Sequence, residues 1–411
     1  MTRDRDAPRA VEVDVRRVTE LDPAAPLPES DPALVARISD EIRRDGPMSF
    51  ARFMELALYD PESGYYAANR DDDVAETGPG RTGDFLTAPE GHPIFGWAIA
   101  RHLESVWVAL DRPGRFVVRE HGAGAGALAA GILDGLRRSR SPLFEVIRYQ
   151  PVDVSPVRLA KLQERVAGLE LADRLEPSEA RREVGAILAN ELLDALPVHR
   201  VEGGEGGSLA ERFVDLASDG SLTTSLGEPS SAALGQRLDA EGVRLQPGQP
   251  AEICLALDGW IAGAAATLDR GELLLIDYGF EASELYVPER GSTLRAYHRH
   301  RVHADPLVAI GRQDLTAHVD LTAVERAAAA SGLTPIGRTS QARFLAALDA
   351  GELLIDLQSD PEMDLGRYLE ARAALVRMVD PRVTGGFAVL AFGRDLQPVS
   401  PLRGFEPSSV R

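Results

Sequence analysis

The chain has 411 residues, 44% of them hydrophobic, with 45 basic against 64 acidic side chains and a formal net charge of -19. That length suits one large domain with additions or two domains, and the apolar share can fill a sizeable core, which excludes global disorder. Such an acidic surface repels phosphates, so a nucleic-acid binder is excluded as a class; a cationic partner or plain solubility fits it better.

Cys254 is the single cysteine, so neither an internal disulfide nor a thiolate metal cage can form, in keeping with a reducing, cytoplasmic compartment. No run reaches about 18 consecutive apolar residues, and no membrane span is expected. Residues 1–30 interleave Asp and Glu with Arg and Pro. They have neither the apolar run of a secretory signal nor the acid-poor composition of a transit peptide, and read as a mobile tail.

A helix is expected from "SDPALVARISDEIRRDG", capped by Ser30 or Asp31 with Pro32 in its first turn and Leu34, Val35, Ile38 and Ile42 on one stripe. "SFARFMELALYDP" predicts a second helix and "IFGWAIARHLESVWVAL" a third. Between them runs a Gly- and Asp-rich stretch, "ESGYYAANRDDDVAETGPGRTGDFLTAPEGHP", unusually long for a structureless connection; loops of this length are often functional. From about residue 114 the texture alternates. "RFVVREHG", "FEVIRYQPVDVS", "VGAILAN" and "GELLLIDYG" predict strands, "ALAAGILDGLRR" and "PVRLAKLQERV" helices, and "TGGFAVLAFGR" one more strand. Short apolar strands without strict alternation imply a parallel sheet covered on both faces, and repeated βα units imply a doubly wound α/β fold. The expected organisation is a tail over 1–30, a helical cap with its long loop over 31–112, and the first part of the core over 113–200. An insertion over 201–250, either an antiparallel excursion or a loose segment, precedes the second part of the core over 251–400.

In open α/β sheets the ligand sits beyond the carboxyl ends of the strands. "REHGAGAGALAAGIL" places Gly122, Gly124 and Gly126 there, between the first strand and its helix. Dinucleotide, phosphate and S-adenosylmethionine sites all begin this way, and purely structural turns can do so too. A Walker-type loop fails because no Gly-Lys-Ser/Thr follows. Glu120 discriminates between the others: a carboxylate at the strand's tip meets a pyrophosphate unfavourably but suits a cationic sulfonium cofactor bearing an amino group. Asp153, ending the second strand in "QPVDVSP", can accept both ribose hydroxyls of either cofactor. The rival readings are an NAD-dependent oxidoreductase and a non-catalytic assembly or binding protein on the same scaffold.

"REHGAGAGALAAGIL" followed by "YQPVDVSPVRLAKLQ" resembles the class I S-adenosyl-L-methionine methyltransferases. With "FMELALYDPESGYY", "GDFLTAPE", "ANELLDALPVHR", "LLLIDYG" and "STLRAYHRHRVHADPLVAIGRQDLTAHVDLTAVE", the chain is similar to the MidA family from about residue 33 to about 393. The resemblance implies a Rossmann-like methyltransferase fold with an N-terminal helical cap, S-adenosyl-L-methionine as cofactor, a protein arginine as methyl acceptor, and a respiratory complex I subunit as a possible substrate. It places Gly83, Asp84 and Phe85 over the cofactor, with Asp84 near its amino or substrate end. The family usually has an aliphatic residue at His121 and Glu at Asp153.

"ANELLDALP" begins where the strand "VGAILAN" ends, a place that the resemblance implies faces the transferred methyl. Asn190 offers an amide; Glu191 and Asp194, three apart on an incipient helix, can share one face and hold a guanidinium. A capped helix start would also use acids there. His298, His300 and His303 invite a zinc reading, but their spacing lacks an HExxH helix and a fourth ligand, so a basic loop pairing with local acids is expected and no metal. Asp314, Thr316, His318 and Asp320 read as a helix-capping network with a buried histidine or as part of an acceptor pocket.

Overall fold

The computed structural model describes residues 27–67, 87–298, 301–359, 363–398 and 400–405; most of the expected tail lies outside them. Along Leu268–Asp277 successive side chains alternate between two apolar layers, Leu274 and Ile276 entering one core and Leu273 and Leu275 the other. A strand buried this way needs helices on both faces. Ile94–Ala109 (α3), Ala127–Arg138 (α4) and Pro156–Gly168 (α5) cover one face, Ala256–Ala266 (α6) and Leu321–Ala330 (α7) the other. The strands of this sheet are Phe116–His121 (β1), Ile147–Val152 (β2), Glu183–Asn190 (β3), Leu268–Asp277 (β4), Thr334–Ser340 (β5) and Ala388–Arg394 (β6), in spatial order β5-β6-β4-β3-β1-β2.

The four strands β4-β3-β1-β2 are parallel, whereas β6 runs antiparallel to β4 and β5 antiparallel to β6. At this edge the otherwise parallel sheet turns antiparallel, which hydropathy does not foretell because it gives a strand's burial but not its direction. A correction falls at "FEV". Leu143–Val146 is a helical turn opened by Ser141 and Pro142, and β2 begins only at Ile147.

The first helix, Pro32–Asp45 (α1), is capped by Asp31, whose Oδ1 accepts the N–H groups of Ala33 and Leu34 at 3.1 Å each. Phe50–Tyr59 (α2) follows, and Ser49 caps it. Leu34, Ile38, Ile42, Phe53 and Leu58 form a separate core with Val214, Leu294 and Leu315. The segment after residue 200 takes the antiparallel form: His199–Gly203, Leu209–Leu216, Leu222–Gly227 and Pro250–Ile253 make a sheet that also takes in Met48–Ser49. Cap and insertion therefore share one core over the carboxyl end of the main sheet. Among the described residues, no helix is long and apolar enough to cross a membrane.

Candidate active site

The carboxyl ends of β1, β2 and β3 open into a cavity of about 300 Å³. Glu120, Gly122, Gly124, Asp153, Asn190 and Glu191, six of the residues singled out from the sequence, line it. Gly126 lies just behind them, at the start of α4. Gly83, Asp84 and Phe85 lie outside the described residues.

The glycine run takes three left-handed turns, with φ of +72° at Gly122, +52° at Gly124 and +82° at Gly126. Side chains rarely adopt such angles. At Gly124 a Cβ would meet nothing within 4 Å, so the backbone lies open to the cavity; at Gly126 it would strike Leu162 Cγ at 2.5 Å, so that glycine serves helix packing. Asp153 ties the run to the second strand. Its Oδ2 accepts the Gly124 N–H at 2.8 Å and its Oδ1 the Ser155 N–H at 2.9 Å. Two accepted bonds leave lone pairs for a ribose diol.

Glu120 is 3% exposed and accepts the Tyr149 hydroxyl at 2.6 Å. Burial raises its carboxyl to about 8 against the pull of that hydroxyl. Glu120 is therefore protonated at neutral pH, and a cation beside it would bring the pKa back down. Next to it, the His121 imidazole packs edge-on against Trp260 at 5.4 Å, and burial lowers it to about 4; its Nε2 is buried without a hydrogen-bond partner. Neither Trp260 nor the paired roof residues Tyr59 and Tyr66, stacked 5.8 Å apart, were picked out as site residues in the sequence, because single aromatics give no periodic signal. Tyr66 donates to Asp314 at 2.8 Å and Tyr59 to the Ala195 carbonyl at 2.9 Å. Arg158, the one basic side chain lining the cavity among the described residues, lies 5.3 Å over the Tyr66 ring.

Glu191 faces the cavity from a strained position, φ +50°, directly after β3. Asn190 Nδ2 donates to its Oε1 at 3.1 Å, while Asn190 Oδ1 is buried with no partner. Burial first, and the nearby Asp194 second, raise the Glu191 carboxyl to about 8, with Asn190 and the Ala88 backbone opposing. The expected sharing of one helix face by Glu191 and Asp194 is corrected. The left-handed residue reverses the chain before the 3-10 turn Leu193–Ala195, and Asp194 points behind the wall, where the Tyr278 hydroxyl bonds it. Burial raises Asp194 to about 6.

Of the remaining groups, Asp320 caps α7 through the Ala323 N–H at 3.0 Å, and His318 sits 5.4 Å from both Tyr278 and Phe280. His298 bonds the Arg312 carbonyl at 3.0 Å, and His300 lies outside the described residues. Among the described residues no group of three His, Cys, Asp or Glu is placed to hold a metal.

With this geometry the comparisons with known proteins agree. The family model for S-adenosyl-L-methionine-dependent methyltransferases matches residues 98–339. The chain belongs to that family. A crystal structure of a superfamily member from Burkholderia thailandensis, bound to S-adenosyl-homocysteine, is 33% identical, with a TM-score of 0.81 over 93% of this chain and 98% of that one. Among curated relatives, the protein arginine methyltransferase NDUFAF7 homolog, mitochondrial, of Drosophila melanogaster is 30% identical over 73% of this chain and 71% of its own length. The mouse protein arginine methyltransferase NDUFAF7 is 28% identical over 74% and 71%. S-adenosyl-L-methionine is thus the cofactor of this methyltransferase, and the dinucleotide reading of the glycine run falls. The residues present fit it. Gly124 exposes backbone, Asp153 has free acceptor capacity, and Glu120 is a buried carboxyl awaiting a cation.

Proposed function

We propose that this methyltransferase modifies an arginine side chain of a protein. The observation that supports the reading best is the half-buried Glu191 carboxyl, which lines one cavity with the Gly124 cradle and the Tyr59–Tyr66 roof and has Asp194 near it. A guanidinium desolvated there gains fork-like, charge-assisted hydrogen bonds, which a neutral acceptor would not. The arginine methyltransferase names of the curated relatives point the same way.

The cofactor, when bound, supplies a methyl group on a positively charged sulfur. The chain positions and deprotonates the acceptor. Glu191, protonated by itself at neutral pH, gives up its proton to solvent as the guanidinium enters, because an opposite charge lowers a carboxyl pKa. One guanidinium nitrogen then uses its electron pair for the new N–C bond as the S–C bond breaks, and the N–H proton passes to Glu191. Alignment of this kind is worth roughly 7–11 kcal/mol of barrier. Glu120 and Asp153 would hold the cofactor's cationic end and ribose.

The test is incubation of the purified chain with methyl-labelled S-adenosyl-L-methionine and a cell lysate, followed by tandem mass spectrometry. Label on arginine in a small set of proteins supports the proposal; label confined to other residue types refutes it.

A further inference from the structure

Asp277 takes more hydrogen bonds than any other carboxylate of the site, although it does not line the cavity. It ends β4 and is 2% exposed. Its Oδ2 accepts the backbone N–H groups of Leu192 at 3.1 Å, Leu193 at 2.8 Å and Asp194 at 3.3 Å. Its Oδ1 accepts the Tyr278 N–H at 2.8 Å. Three consecutive N–H groups converge on one oxygen only after a sharp turn, and Glu191 makes that turn at φ +50°. A glutamate is disfavoured there, because its Cβ crowds a carbonyl oxygen that glycine would clear. The near side of the turn is held as well, by the Glu191 N–H donating to the Ile276 carbonyl at 2.8 Å. Two adjacent residues of β4 thus grip both flanks of the one strained residue that directly follows β3.

We infer that Asp277 is the positioning residue for Glu191: its carboxyl oxygen gathers the three N–H groups of the 192–194 backbone and keeps a left-handed turn that aims Glu191 into the cavity. Backbone strain of this kind persists only where the surroundings over-determine it, and it clusters at functional positions. The inference rests on the reading of Glu191 as the acceptor-side carboxylate. Burial first, with Asp194 and Glu191 adding to it, pushes the Asp277 carboxyl up, and the Tyr278 and Leu193 N–H groups oppose this.

Asp277→Asn keeps the size and one acceptor oxygen while replacing the other with an amide donor, which cannot accept a backbone N–H. Expected are S-adenosylhomocysteine affinity within threefold of the parent, hydrogen exchange at Leu192, Leu193 and Asp194 at least tenfold faster, and a Glu191 titration midpoint lower by half a pH unit in carbon-13 NMR. Labelled methyl transfer into lysate protein falls at least tenfold. Unchanged exchange at the three amides, or an unmoved Glu191 midpoint, overturns the assignment. If the variant does not fold, Glu191→Gly decides: glycine accepts the turn freely, so Tm rises by roughly 2–4 °C with the three amides still protected. A lower Tm overturns the strain on which the inference depends. Should Glu191→Gln leave methyl transfer intact, the arginine reading of Glu191 fails, while exchange and NMR still decide whether Asp277 holds the turn.

Discussion

The Tyr149 hydroxyl donates a 2.6 Å hydrogen bond to the Glu120 carboxyl, joining two buried side chains of neighbouring parallel strands in front of the glycine run. Burial still dominates, and the carboxyl is raised to about 8. In the folded chain that value lies above the ordinary 4.5, so the stability contributed by the protonated form is full below about 4.5 and is lost as pH rises through 8. Across pH 5 to 8.5 the parent should therefore melt progressively lower relative to Glu120→Gln. Saturating S-adenosylhomocysteine, which brings an ammonium group, should shrink the gap. Thermal melts with and without ligand check this; a difference independent of pH would contradict it.

Glu191→Gln retains the shape of the acceptor wall but cannot take a proton. Calorimetry should find S-adenosylhomocysteine affinity within about threefold of the parent, while methyl transfer falls by roughly 10²–10⁴-fold, the range of general base catalysis. Equal turnover in the variant would remove the proposed role.

Gly124 and Gly126 both have positive φ but should fail differently. Gly124→Val places its side chain in open cavity space, so cofactor binding should weaken at least 100-fold with only a modest drop in Tm. Gly126→Ala collides with Leu162 and should destabilise by about 2 kcal/mol, with affinity nearly intact once folded. Paired urea melts and calorimetry separate the two. Equal loss of affinity in both would contradict the cradle.

His121 has a buried nitrogen without a partner, which costs on the order of 1–3 kcal/mol. Replacing it with leucine should raise stability by roughly 1 kcal/mol and leave cofactor affinity within twofold. The lowered His121 pKa also means that the parent loses stability as pH falls from 6.5 towards 4, a loss the leucine variant lacks. A tenfold drop in affinity would instead make His121 a cofactor contact.

Much of this was legible in the sequence for physical reasons. Local signals had clear outcomes: Asp31 and Pro32 start α1, and the apolar strand, glycine run and Ala/Leu helix from Phe116 to Arg138 place a ligand crevice. What depends on distant pairing was not legible. The antiparallel direction of β6, the joining of Met48–Ser49 to Leu209–Leu216, and the Tyr66 to Asp314 bond each span more than a hundred residues and leave no periodic trace. The helix-face pairing of Glu191 with Asp194 failed for a local reason: spacing assumes helical backbone, and Glu191 departs from it. Asp277 read as the end of an apolar strand within the signature "LLLIDYG", with no site role, because three of its partners lie 83 to 85 residues away.

A crystal structure with S-adenosylhomocysteine tests the site most directly. The ribose hydroxyls should lie within hydrogen-bond distance of Asp153, the amino group near Glu120, and the sulfur on the side of Asn190 and Glu191. Density for the ligand elsewhere, with the space over Gly124 empty or filled by the chain's own side chains, would contradict the assignment.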